Sequence, residues 1–142
     1  MTIARITATR TTSEIISCDV TTPVRDAVAL LAGRRIGALP VLDNGSVVGI
    51  FSERDVIYRL AEEGSACLDR AVGEVMTSPP VTVEPSTRID DALALMTKRR
   101  FRHFPVVEGG TLVDFVSIGD MVKLKMDEVQ QEALALRTYI AS

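Results

Sequence analysis

Two short stretches carry the residue types that could do chemistry. Ser117-Ile118-Gly119-Asp120 places a hydroxyl and a carboxylate three positions apart, after an apolar run and before a helical pattern. Ser52-Glu53-Arg54-Asp55 lies 65 positions earlier and follows Val47-Val48-Gly49-Ile50-Phe51. This spacing suits a capping box, in which both side chains satisfy helix-end N–H groups. It also suits a ligand site, since free N–H groups at a helix start favour an anion such as phosphate. The two readings are compatible: the serine caps while the aspartate reaches outward.

Other chemistry is thinly represented. The single histidine, His103, cannot build a multi-histidine metal site, and Cys18 and Cys67 lack metal-ligand or redox spacing. No metal site and no disulfide are therefore expected. No nucleophile–base–carboxylate set and no glycine-rich phosphate loop is present, so the chain reads as a non-enzyme with no catalytic residues. A net charge of −3 argues against nucleic acid as a partner. The one basic run is Lys98-Arg99-Arg100-Phe101-Arg102-His103, either a solvated helix end or a phosphate rim. No apolar run reaches the ~18 residues of a membrane span, and Arg5 and Arg10 are not followed by a secretory signal. A cytoplasmic protein is expected, without a membrane partner.

The elements that position the two motifs are themselves duplicated. The 65-residue offset runs without a gap from Thr22 to Asp55: Thr22 matches Thr87, Asp26 Asp91, Ala27 Ala92, Arg34-Arg35 Arg99-Arg100, Pro40-Val41 Pro105-Val106, and Gly45 Gly110. Each copy predicts a short strand (Glu14 to Cys18; Val81 to Val83) and then a helix with Thr22 or Thr87 as its N-cap. A strand, a turn and a returning strand follow: Ala38 to Leu42, Asp43-Asn44-Gly45-Ser46, Val47 to Phe51. In the second copy Glu108-Gly109-Gly110-Thr111 repeats the turn, leading to Leu112 to Val116. Second helices start at Ser52 and Ser117. The unit is β-α-β-β-α, twice, an α/β (α+β) fold in which the copies share an aliphatic core with pseudo-twofold symmetry. A longer C-terminal helix covers Met121 to Ile140; Val122, Met126, Val129, Ala133 and Leu136 recur at helical intervals, an apolar stripe for the module or a partner chain. The expected boundaries are an extension over 1–13, repeats over 14–76 and 77–125, and a helical extension over 126–142. The first dozen residues show no clear pattern.

"ALPVLDNGSVVGIFSERDV" and "HFPVVEGGTLVDFVSIGDM" resemble two CBS domains, which in tandem form a Bateman module. The resemblance covers about Ile15 to Leu124. It implies a stand-alone regulatory pair that binds an adenosine-containing ligand in two clefts between the repeats: AMP first, otherwise ADP, ATP, NAD(H) or S-adenosylmethionine. No catalytic cofactor is implied. One cleft would use Thr22, Ala27, Ile36, Gly37, His103, Ser117 and Asp120; the other Ser52, Arg54, Asp55, Thr87, Ala92, Phe101 and Arg102. Asp55 and Asp120 would accept from the neighbouring ribose hydroxyls, Ile36 and Phe101 would wall the adenine, and His103 would meet phosphate. The clefts are unequal, for Ala38 stands where the second copy has His103, and Asp114 stands where the first has Gly49. Asp114 would add negative charge near a phosphate site unless it points away or pairs with a base such as Arg102. The resemblance also implies a homodimer and an unidentified regulated protein. The alternative is a structural dimerisation or interaction module with no small-molecule ligand.

Overall fold

A computed structural model describes residues 1–10 and 15–141 of the chain. Two compact units result: one gathers Met1–Ser13, Thr82–Glu108 and Val113–Ser142, the other Glu14–Val81 and Gly109–Leu112. The fold is mixed α+β with a long C-terminal helix.

The unit built on the first repeat contains a three-stranded sheet in the order β1-β2-β3. β1 (Cys18–Asp19) runs parallel to β2 (Ala38–Asp43), and β3 (Ser46–Ser52) returns antiparallel. The return is a two-residue turn: Asn44 and Gly45 sit at φ 50° and 83°, the left-handed conformation that Asn-Gly adopts most readily. Helix α2 (Val24–Arg34) lays Val24, Ala27 and Leu31 on this sheet, where Leu39, Val41 and Phe51 close the core. Helix α3 (Glu53–Glu63) follows β3 directly, and a 3₁₀ segment (Gly64–Asp69) leads to the short α4 (Val72–Val75).

The other unit repeats the pattern. Helix α5 (Ile89–Arg99) buries Ile89, Ala92 and Met96; β4 (His103–Glu108) and β5 (Thr111–Ser117) form the hairpin, and Val83 bridges in parallel to Val106. Helix α6 (Ile118–Ala141) buries Met121 and Leu124 and exposes the rest of its apolar positions, Met126 at 58% among them. The short first helix, α1 (Ala4–Thr9), belongs to this unit.

Two local expectations are corrected. Thr22 and Thr87 do not cap helices: α2 and α5 begin two residues later, after Pro23 and Arg88 in extended conformation. Each threonine hydroxyl instead accepts from the backbone three residues before, Asp19 N–H at 3.1 Å and Glu84 N–H at 3.0 Å. The orphan N–H at each helix start is satisfied from elsewhere, Val24 donating to Arg70 O and Ile89 to Met1 O at 2.8 and 2.9 Å. The first strands are also shorter than expected. Cys18–Asp19 remains of one, whose start at Glu14 lies outside the described residues, and only the Val83 bridge remains of the other.

The N-terminal segment, patternless in sequence, has a defined place. Ile3 N–H donates to Thr87 O and Ala4 N–H to Pro85 O. In the first-repeat unit Val72 N–H donates to Thr22 O and Gly73 N–H to Val20 O. Thr2 bridges to Arg88 as Ala71 bridges to Pro23. Residues 1–10 therefore strap the second repeat as residues 70–77 strap the first.

Candidate functional site

Both Ser-x-x-Asp motifs start helices, and both are capping boxes. Asp55 N–H donates to Ser52 Oγ at 3.4 Å while Ser52 N–H donates to Asp55 Oδ2 at 2.9 Å. Asp120 N–H donates to Ser117 Oγ at 3.2 Å and Ser117 N–H to Asp120 Oδ2 at 2.8 Å. The extended β-strand must turn into a helix at the serine, so its hydroxyl meets the first orphan N–H groups. The residue after each serine is tied to the end of the preceding loop, Glu53 N–H to Gly37 O at 3.1 Å and Ile118 N–H to Arg102 O at 2.8 Å. Gly37 thus stands beside Ser52, and Arg102 beside Ser117.

The second contact of each carboxylate separates the two. Thr77 Oγ1 donates to Asp55 Oδ1 at 3.0 Å. Arg10 takes the corresponding place at Asp120, with Nη2 2.5 Å from Oδ2. Burial pushes the Asp120 carboxyl up, but the Ser117 N–H together with the hydrogen bond and charge of Arg10 outweigh it, holding the group below the usual carboxylate range.

Arg10 also solves the problem posed by Asp114. That carboxylate is 1% exposed. It accepts from Arg10 Nη1 at 2.7 Å, Phe115 N–H at 2.7 Å and Thr7 Oγ1 at 3.2 Å. It pairs with a base, and that base is Arg10, where the sequence suggests Arg102 as one example. At Gly49 in the first repeat a Cβ would stand 2.5 Å from Met76 Sδ and 2.9 Å from Thr77 O. There the strap lies directly on the strand, with Ile50 and Thr77 exchanging both backbone hydrogen bonds. The second repeat replaces that backbone contact with an ion pair.

The remaining candidates are distributed as follows. Ile36 and Gly37 line a cavity of about 550 Å³ beside α2 and α3, with Arg35, Glu53, Val56 and Ile57. The His103 ring stacks on Phe115, centroids 5.4 Å apart and planes within 9°. Arg54 and Arg102 are exposed; Thr22, Thr87 and Phe101 are half-buried. Ala27 and Ala92 are fully buried on the core faces of α2 and α5. Among the described residues no cluster of three or more metal-ligating side chains occurs. Both cysteines are buried thiols, and burial, with Asp19 beside it, pushes Cys18 up to about 11. No helix among the described residues is long and apolar enough to cross a membrane. Arg10 and Thr77 escaped the sequence reading; the signal for Arg10 was the buried-strand position of Asp114, which demands a cation.

The family model of the CBS domain matches residues 5–62 and again 72–127. Among curated proteins, the mitochondrial CBS domain-containing protein CBSX3 of Arabidopsis thaliana is 34% identical over 128 residues, 87% of this chain; the chain spans 62% of that protein's length. Among solved structures, the CBS-domain containing protein ATU1752 from Agrobacterium tumefaciens superimposes with a TM-score of 0.81 at 33% identity, covering 88% of this chain and 99% of the other. CBSX2, solved in complex with AMP, gives a TM-score of 0.73 at 28% identity over 89% and 96% of the two chains. With two matched copies and a stand-alone structural relative of nearly the same extent, this chain belongs to the CBS-domain family as a tandem pair.

Proposed function

We propose that this pair is a non-enzymatic, cytoplasmic regulatory module for an adenosine-containing ligand, AMP foremost, with Asp55 and Asp120 as the sugar-binding carboxylates. The observation that carries the reading is the pair of partly exposed carboxylates held rigidly at equivalent helix starts, in a family whose relative CBSX2 holds AMP. A capping box fixes the carboxylate rotamer, so a ribose meets acceptors already in place. The family resemblance, and not a measured distance, joins Thr22, Ile36, Gly37 and His103 to Asp120, and Thr87, Phe101, Arg102 and Arg54 to Asp55. A ligand acts on a regulated partner only through its different affinities for two states of the module.

Thermal melting in the presence of AMP, ADP, ATP, NADH and S-adenosylmethionine tests the reading. At about 100 times Kd a ligand adds about 2.7 kcal/mol, which for a chain of this size raises Tm by roughly 5–15 °C. Asp120→Ala should abolish binding at its own site in titration calorimetry; unchanged stoichiometry and affinity would remove the ribose role. One observation favours the second reading, a structural module: in both motifs the carboxylate is already engaged by its own helix start. No Tm shift with any of the five compounds would select it.

Either reading takes a second copy of the chain as partner. Ile57, Tyr58 and Leu60 on α3, and Val122, Met126, Val129 and Leu136 on α6, are exposed large apolar side chains that a second copy would cover. Sedimentation velocity is expected to give twice the 15.4 kDa chain mass; a monomer at micromolar concentration would sink the dimer.

A further inference from the structure

The two sugar-binding candidates differ in what already holds them. Asp120 Oδ2 accepts from both Ser117 N–H and Arg10, which fills its two lone pairs. Arg10 cannot turn aside while residues 1–10 stay seated, because Nη1 is held by Asp114 Oδ1 and lies 3.2 Å from Phe115 O. At Asp55 the contacts beyond the helix cap are hydroxyls, Thr77 Oγ1 on Oδ1 and Ser52 Oγ on Oδ2 at 3.1 Å. A hydroxyl is a rotor that can turn to another acceptor, or itself accept, at little cost. A guanidinium paired to a carboxylate makes charge-assisted bonds, and displacing it costs considerably more.

A vicinal diol gripped through both carboxylate oxygens therefore meets different competition at the two helix starts. We propose that Arg10 competes with the ligand for Asp120, so that the sugar and the N-terminal strap exclude each other there, while Asp55 fills first. This rests on the adenosine reading and gives it a direction: occupancy of the Asp120 site loosens residues 1–10. The Ile3 and Ala4 amides, bonded to Thr87 O and Pro85 O, report on that strap.

Two measurements decide it. Without ligand, hydrogen exchange at Ile3 and Ala4 should be several-fold faster in Asp120→Asn, which keeps a neutral cap but loses the ion pair; unchanged exchange overturns the Arg10 tie whatever the chain binds. With AMP, calorimetry of the wild-type chain should show a tight and a weak site, Asp55→Asn deleting the first and Asp120→Asn the second. The double variant Arg10→Met/Asp114→Asn, which leaves no buried charge unpaired, should tighten the weak site by about tenfold. Saturating AMP should in turn speed exchange at Ile3 and Ala4 in the wild type. If AMP binds but the double variant leaves the weak site unchanged or weaker, competition is overturned and the adenosine reading stands. If no variant binds AMP while Asp120→Asn still frees the strap, the adenosine reading fails and takes the competition with it.

Discussion

Arg10→Ala is expected to cost about 3 kcal/mol in urea unfolding, near the lower end for a broken buried ion pair. The asymmetry of the pair sets the size. Arg10 keeps 28% of its side chain in water, whereas Asp114 keeps 2%, so removing the base strands a charge that has no route to solvent. Thr7 Oγ1 and Phe115 N–H remain as donors and limit the loss. For this chain length the drop corresponds to roughly 10 °C in Tm. Arg10→Met combined with Asp114→Asn should recover most of it, since the amide oxygen still accepts from Phe115 N–H, its NH2 group can donate to Thr7 Oγ1, and no charge is buried. The gap should also depend on pH. The Asp120 carboxyl is held below its ordinary value in the folded chain, so the tie to Arg10 contributes fully above the unfolded value and is lost as pH falls through the folded one. Wild type and Arg10→Ala are thus expected to draw closer in acid by the share that the Asp120 tie contributes; a gap that widens as pH falls through the carboxylate range would contradict this assignment.

Phe51→Ala is expected to cost more, about 3–5 kcal/mol. Phe51 is 0% exposed at the centre of the first-repeat core, opposite Leu39 in the sheet and clustered with Val24, Leu31, Val41 and Val72. Its removal opens a cavity between a sheet and a helix that are both pinned, β2–β3 by a tight turn and α2 by the Val24–Arg70 bond, so collapse around it is limited. Against a typical total stability of about 5–15 kcal/mol, a loss of that size populates partly unfolded chain at 37 °C. Phe51→Leu should cost under about 1.5 kcal/mol. Hydrogen exchange in β2 and β3 reads the effect locally, and a loss below 1 kcal/mol for the alanine variant would mean that the core repacks.

The hairpins, the four long helices and both Ser-x-x-Asp starts were legible because their signals are local. Asn44-Gly45 and Gly109-Gly110 dictate a turn, apolar spacing dictates the helices, and a serine three residues before an aspartate dictates a cap. The 65-residue repeat made each reading twice and carried the family resemblance. The N-terminal strap was illegible for a definite reason. Its counterpart at Val72 is 69 positions from Ile3, so the gapless register that aligns Thr22 with Thr87 passes over it. Thr22 and Thr87 misled for a related reason: each looks like a cap, but the helix N–H it would have capped is taken by a backbone carbonyl from that distant strap. Asp114 was legible as an anomaly and not as a partner of Arg10, because a buried acid in a strand announces that a base is needed without saying where along the chain it lies.

The strap also sets an order of events at the ribosome. Residues 1–10 are synthesised before their anchors, Pro85 to Ile89, Asp114 and Asp120. At ordinary translation speeds the strap waits on the order of 5–20 s for them, with Ile3 and Ile6 unshielded. The strap thus finds its seat only after the second repeat is made, and in that interval its apolar side chains are open to misassociation.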